Sequence, residues 1–193
     1  MRFFYQLLLL IVVLCLTNCA QHTINDPEEY LDWYGENSEN LQFNSNCEGY
    51  SFKLQYQPTA VRAIRNGDLT QLESFENSLV FVLDVESKAD DLGRLNQYKQ
   101  YLEYNSSELF QLTIEEQNYD PSLSIYEGFN SHKNTHRFTI LFELSEGERI
   151  DESNIHEFSD VTFSIKDEIF CSQKAIININ QDNFYSIPKF EVQ

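Results

Sequence analysis

The sequence predicts an α+β fold: a mostly antiparallel sheet of six to seven strands with two to four short helices, in a single domain. Three observations carry this expectation. Short segments with apolar residues at alternate positions recur along the chain, the mark of strands buried on one face. Helical stretches bounded by Pro, Asp and Gly fall irregularly among them, which favours antiparallel pairing over regular βαβ units. No repeat, low-complexity tract or linker divides the chain.

Residues 1–18 read as a signal peptide. Arg2 supplies a short positive region, and Phe3 to Leu16 is apolar apart from Gln6. The run suits a cleaved signal and falls short of the roughly 20 residues of a spanning helix. It ends on "LCLTNCAQ". Leu16-Thr17-Asn18-Cys19 resembles the lipobox of bacterial lipoproteins, with Asn18 standing where a smaller residue is usual. The resemblance implies cleavage before Cys19, lipid on its thiol and new amino group, and loss of Cys15 with the signal. Ala20 after the cysteine implies sorting to the outer membrane. Two or more acyl chains are enough for stable anchoring.

Residues 19–46 are expected to hold the anchor, a tether and a short aromatic helix. Asp26 can cap the helix, Pro27 suits its first position, Glu29 completes an Asp-x-x-Glu box and Gly35 can end it. Tyr30, Trp33 and Tyr34 then share one face, either a docking surface near the membrane or a face packed on the domain. Residues 35–46 read as a loop.

A globular α+β domain is expected over 47–193. "YSFKLQY" puts Phe52, Leu54 and Tyr56 on one side of a strand. Pro58 opens a helix with Val61 and Ile64 inward and Gly67 as its stop; residues 68–77 can form another. "SLVFVLDVES" is a continuous apolar run, hence a central strand covered on both faces. Residues 89–105 form the longest helix, with Leu92, Leu95 and Leu102 inward and Tyr98, Tyr101 and Tyr104 along a neighbouring line. Tyr98 and Tyr101 are candidate interaction residues, although such stripes are commonly the edge of a core face. Four strands follow, through Phe110–Ile114, Leu123–Ile125, Phe138–Leu144 and Val161–Ile165. The last turns tightly at residues 166–168 and returns through Cys171 to Ile179.

Composition limits function. The chain has 13 Lys and Arg against 31 Asp and Glu, a net charge of −18, which becomes −19 once Arg2 leaves. That balance speaks against nucleic acid and against attraction to anionic headgroups. Cys47 and Cys171 can form a disulfide in an oxidising compartment or remain two small apolar residues. The six glycines are scattered, so phosphate-cradling loops and the G-x-S-x-G elbow are absent. His132 and His136 have helical metal-ligand spacing, but in "HKNTH" Lys133 replaces the usual Glu and the segment reads as a hairpin loop of solvated histidines. Asn178, Asn180 and Asp182 match the start of a calcium loop whose later Gly and Glu are missing, so they read as strand-end residues. No metal, cofactor or catalytic residue is assigned.

"YLDWYGE", "SFKLQYQP" and "FSDVTFSIKDEIF" are similar to stretches of uncharacterised lipoproteins of Bacteroidota-type bacteria. The resulting expectation is a lipid-anchored, non-enzymatic module that binds another envelope protein. The alternatives are a carboxylate-based hydrolase of envelope glycans and an immunity lipoprotein neutralising a basic toxin. Palmitate labelling of the expressed chain is expected to disappear in Cys19→Ala and to survive in Cys15→Ala; unchanged labelling of Cys19→Ala rules the anchor out.

Overall fold

The computed structural model describes residues 22–70, 72, 77–87, 92–144, 150, 154–166 and 169–192, with backbone alone for 92–96. The α+β expectation holds. Three helices, α1 (Pro27–Asn37), α2 (Thr59–Asn66) and α3 (Leu92–Tyr104), accompany antiparallel sheets of five and four strands among the described residues. Strands β2 (Gln42–Cys47), β3 (Tyr50–Tyr56), β4 (Ser78–Ser87), β7 (Leu123–Asn130) and β8 (Thr135–Glu143) form the larger sheet, in the order β2-β3-β4-β8-β7. Strands β5 (Phe110–Ile114), β6 (Gln117–Tyr119), β9 (Val161–Ile165) and β10 (Ala175–Asn178) form the smaller, in the order β10-β9-β5-β6. The two-residue strands β1 (Thr23–Ile24) and β11 (Lys189–Phe190) pair in parallel.

The sheets face each other because the central strands of the larger sheet carry an apolar row on one side, whereas β7 at its edge leaves Leu123 and Ile125 about half exposed. Leu79, Phe81, Leu83 and Val85 of β4 are inaccessible to solvent, as are Phe138, Ile140 and Phe142 of β8. They meet Phe110 and Phe163 of the smaller sheet: ring centroids are 5.2 Å apart for Phe110–Phe138 and 6.2 Å for Phe81–Phe163. Each such ring contributes about 1.5–3 kcal/mol by burial, and edge-to-face pairs add to that.

The β9–β10 connection differs from the expected tight turn. Strand β10 begins at Ala175, opposite Ile165, so the described residues between the two strands, 166 and 169–174, belong to neither, and Cys171 is among them. Their apolar members belong to the core rather than to a strand. Phe170 inserts between the sheets against Tyr50, Phe52 and Phe138, at centroid distances of 5.6, 6.3 and 6.3 Å. Cys171 forms a disulfide with Cys47 at the end of β2, with Cα atoms 6.1 Å apart, inside the span a bridge requires. Beside it, Glu48 accepts from the backbone N–H of Ser172 at 2.9 Å and also from the Ser172 hydroxyl. Those bonds hold the Glu48 carboxyl below its ordinary range. Glu48 and Gly49 both have positive φ, 41° and 97°, which gives the two-residue turn whose twist suits the β2–β3 hairpin.

The described residues before β3 carry more regular structure than expected. Helix α1 starts as predicted, with Asp26 accepting from the backbone N–H of Glu28 and Glu29. It does not stop at Gly35 but runs to Asn37 and into a 3-10 turn over Ser38–Leu41. The expected loop over 35–46 is instead the end of α1, that turn, and edge strand β2. Only Phe43 of β2 is a buried apolar residue, so alternation is faint in its sequence. Residues ahead of position 47 pack on the domain: Ile24 and Tyr30 are buried, and β1 pairs with β11. Gly67, at φ 68°, ends α2 as predicted, while half of the helix expected over 68–77 lies outside the described residues. No helix of the described residues is long and apolar enough to cross a membrane.

The loop and its bridge determine how the sheets stay together. Replacing Cys47 and Cys171 together by Ala is expected to cost about 2–5 kcal/mol, and Phe170→Ala about 3–5 kcal/mol. Urea denaturation under oxidising conditions measures both; reductant should destabilise the parent chain and leave the cysteine-free variant unchanged.

Candidate functional site

The outer face of the five-stranded sheet is polar at one end. Strand β4 is the source of that change. Val80 is buried on this face and Val82 half-buried, but the next two positions are Asp84 and Glu86. The expectation that β4 is covered on both faces therefore holds only for its first half. Register places two rows across the sheet: Asn44, Lys53, Asp84 and Arg137, then Asn46, Ser51, Glu86 and Thr135. Residues directly opposite in such rows lie about 5 Å apart. The rows floor two adjoining hollows of 430 and 560 Å³ that share Asp84, Lys133 and Thr135.

Local structure fixes the side chains. Arg137 donates to Asp84 through Nε and a terminal nitrogen, each at 2.7 Å, a planar two-bond pairing. These bonds push the Arg137 pKa up, and the charges of Asp84 and Glu127 add to the effect. Glu127 accepts from the Thr139 hydroxyl at 2.6 Å and sits at a bulge where β7 loses register between Tyr126 and Gly128. The β7–β8 turn forms the rim. Asn130 accepts from the backbone N–H of His132 and Lys133, and Asn134, at φ 51°, donates its amide to the carbonyl of Ser87. Ser51 donates to Asn46 at 2.6 Å. Lys53, Lys133 and Arg137 balance Asp84, Glu86 and Glu127 around the hollows, in a chain whose net charge is −18. The surface offers paired charges, amides and hydroxyls at fixed spacing, which suits hydrogen-bonded docking.

The residues singled out from sequence lie elsewhere. Cys19 is outside the described residues. Tyr30 and Tyr34 are not a docking face: both are buried, donating to the carbonyls of Pro188 and Tyr56, and Trp33 packs on the core beside Tyr30. A helix of this length is held by such packing. On α3, Tyr101 packs against the core and donates to Glu108, whereas Tyr98 is 37% and Tyr104 77% exposed. Leu102 is buried as expected; the side chains of Leu92 and Leu95 lie outside the described residues. Cys47 and Cys171 are joined by the disulfide described above.

The histidines part company. His132 is exposed in the turn, but His136 is a buried strand residue, not a solvated loop residue. Its Nδ1 is 2.7 Å from the Tyr126 hydroxyl, whose pKa is pushed up to about 12 by burial, with Glu103 adding. Asn180 caps the 3-10 turn Gln181–Ser186 by accepting from the N–H of Asp182, and Asn178 ends β10. The sequence signal for the hollows was present in Asp84 and Glu86, which interrupt an otherwise apolar strand.

No protein-family model matches the chain, and no curated protein is significantly similar to it. Among solved structures, one described as a novel protein of unknown function from Burkholderia pseudomallei K96243 is similar over 86% of this chain and 94% of its own, at 10% identity and a TM-score of 0.45. Likeness at that level carries no argument about function.

The Asp84–Arg137 pair is partly exposed, with 23% and 47% of the side chains accessible. A double-mutant cycle with Asp84→Ala and Arg137→Ala is expected to give a coupling of about 0.5–1 kcal/mol in low salt, shrinking as salt is added.

Proposed function

We propose that the chain is an exported lipoprotein, anchored through Cys19 to the cell envelope, that acts as a non-enzymatic module binding another envelope protein on the two polar rows of the five-stranded sheet. The observation that carries this reading is the charge-balanced, hydrogen-bonding surface around Asp84 and Arg137 on a sheet face that no described element covers there. The alternating charges of Lys53, Asp84 and Arg137 along one row can give register and specificity to a protein contact.

The same geometry favours binding over hydrolysis. Both oxygens of Asp84 are engaged by Arg137, and Glu127 holds Thr139. Carboxylates fixed in this way serve as docking groups more readily than as an acid–base pair across a glycosidic bond. Balanced charge also suits a polar partner better than a strongly basic toxin.

Photocrosslinkers at Lys53 and Thr135 are expected to capture one defined envelope protein, whereas a crosslinker at Ile176, exposed on the smaller sheet, should not. Lys53→Glu combined with Arg137→Glu should abolish that adduct with little change in circular dichroism. Equal capture from Ile176, or an adduct that survives charge reversal, counts against this surface.

A further inference from the structure

The N-terminal stub is nearly all taken up by the fold. The His22 carbonyl already accepts from the Lys189 N–H at 2.9 Å, and Thr23–Ile24 pairs with Lys189–Phe190. Only Ala20 and Gln21 separate His22 from Cys19. Three Cα–Cα steps span at most roughly 11 Å. A lipid on Cys19 would therefore hold this end of the domain within about that distance of the headgroups, with little freedom to tumble.

This end lies opposite the hollows. Helix α1 follows β1 directly and meets the large sheet through Tyr34, whose hydroxyl donates to the carbonyl of Tyr56 at 3.4 Å. Tyr30 donates to Pro188 and packs on Phe190 at 5.4 Å, which ties α1 to β11. The 3-10 turn after α1 leads into β2 at Gln42, opposite Gln55, and α2 leaves just after Tyr56. All of these connections enter the sheet at its Tyr56 end. The polar rows cross β3 at Lys53 and Ser51, toward the other end. From Tyr56 to Ser51 is about 17 Å of strand.

Among the described residues from His22 to Asn37, of α2 and from Lys189 to Val192, the exposed charged side chains are Asp26, Glu28, Glu29, Asp32, Glu36 and Glu191 against Arg65 and Lys189, the last of which is 2.8 Å from Glu191. Anionic headgroups repel such a surface over a screening distance of about 8 Å, comparable with the reach of the stub. The stub, not attraction, would set the standoff.

We infer that the two-residue tether holds the β1–β11 end of the domain toward the bilayer and presents the polar rows away from it, to a partner in the aqueous space rather than to lipid. This rests on the Cys19 anchor reading. The arrangement makes the domain a fixed post: its partner must come to within a few tens of ångströms of the membrane.

The test uses the full chain, purified with its lipid and placed in phosphatidylethanolamine–phosphatidylglycerol vesicles bearing acceptor-labelled headgroups. A donor dye is attached through Glu28→Cys or, separately, Ser131→Cys, both exposed positions at opposite ends. Transfer from position 28 is expected to exceed that from position 131 several-fold. A Gly/Ser insert of about twenty residues after Ala20, with an r.m.s. span of roughly 25 Å, should remove most of the difference. Protein that fails to float with the vesicles, like Cys19→Ala, overturns the anchor and the orientation together. Protein that floats but shows equal transfer, or a difference untouched by the insert, overturns the orientation alone.

Discussion

The structure depends on one interlock: Phe170 seated between the two sheets and held there by the Cys47–Cys171 bridge. The large sheet offers Tyr50, Phe52 and Phe138, and Phe170 fills the space they leave. Without that ring the sheets would face each other across a gap at one end, and a gap costs both burial and dispersion. The described residues around Phe170, 169–174, belong to no strand or helix. Their position is set by covalent attachment to the end of β2 and by Glu48, which takes the Ser172 N–H and hydroxyl. These attachments fall beside the two-residue turn of the β2–β3 hairpin.

That inner arrangement frees the outer face. Because apolar rows saturate one side of β3, β4 and β8, the other side need not be apolar, and toward the β7–β8 turn it is not. Lys53, Asp84 and Arg137 can sit in register there because the backbone beneath them is already committed by Leu54, Leu83 and Phe138 on the buried side. A polar surface built on strands is held more precisely than one built on loops. The bulge at Glu127 turns the edge strand locally and adds a third carboxylate to the rim.

Much of the fold was legible from periodicity. Strands β3, β4, β5, β7, β8 and β9, the caps at Asp26 and Gly67, and the burial of Leu102 all follow from residue pattern. What pattern missed was structure made by contact. Strand β2 has one buried apolar residue, β1 and β11 have two residues each, and β6 has three, so none has a period to detect. Cys171 looked like part of a strand because Ile169, Phe170 and Cys171 are apolar in succession. They are a core insert, and the difference lies in what they touch. The aromatic face of α1 could be placed on one side of a helix, but whether that side met protein or solvent was decided by Pro188, Tyr56 and Phe190, far away in sequence.

The sequence alone determined the class of fold, the acidity and the lipobox-like "LTNC", because each is a property of composition or of short-range pattern. It also contained the clue to the polar rows, since two acids at alternate positions in an apolar strand require an open face. Only the tertiary structure decided that Asp84 would meet Arg137 and Lys53 across the sheet, that Cys47 would reach Cys171 from 124 residues away, and that the chain would be ordered to within three residues of Cys19. Those outcomes depend on register and on which strands become neighbours. Register is a cooperative property of the whole sheet, and no local stretch of sequence contains it.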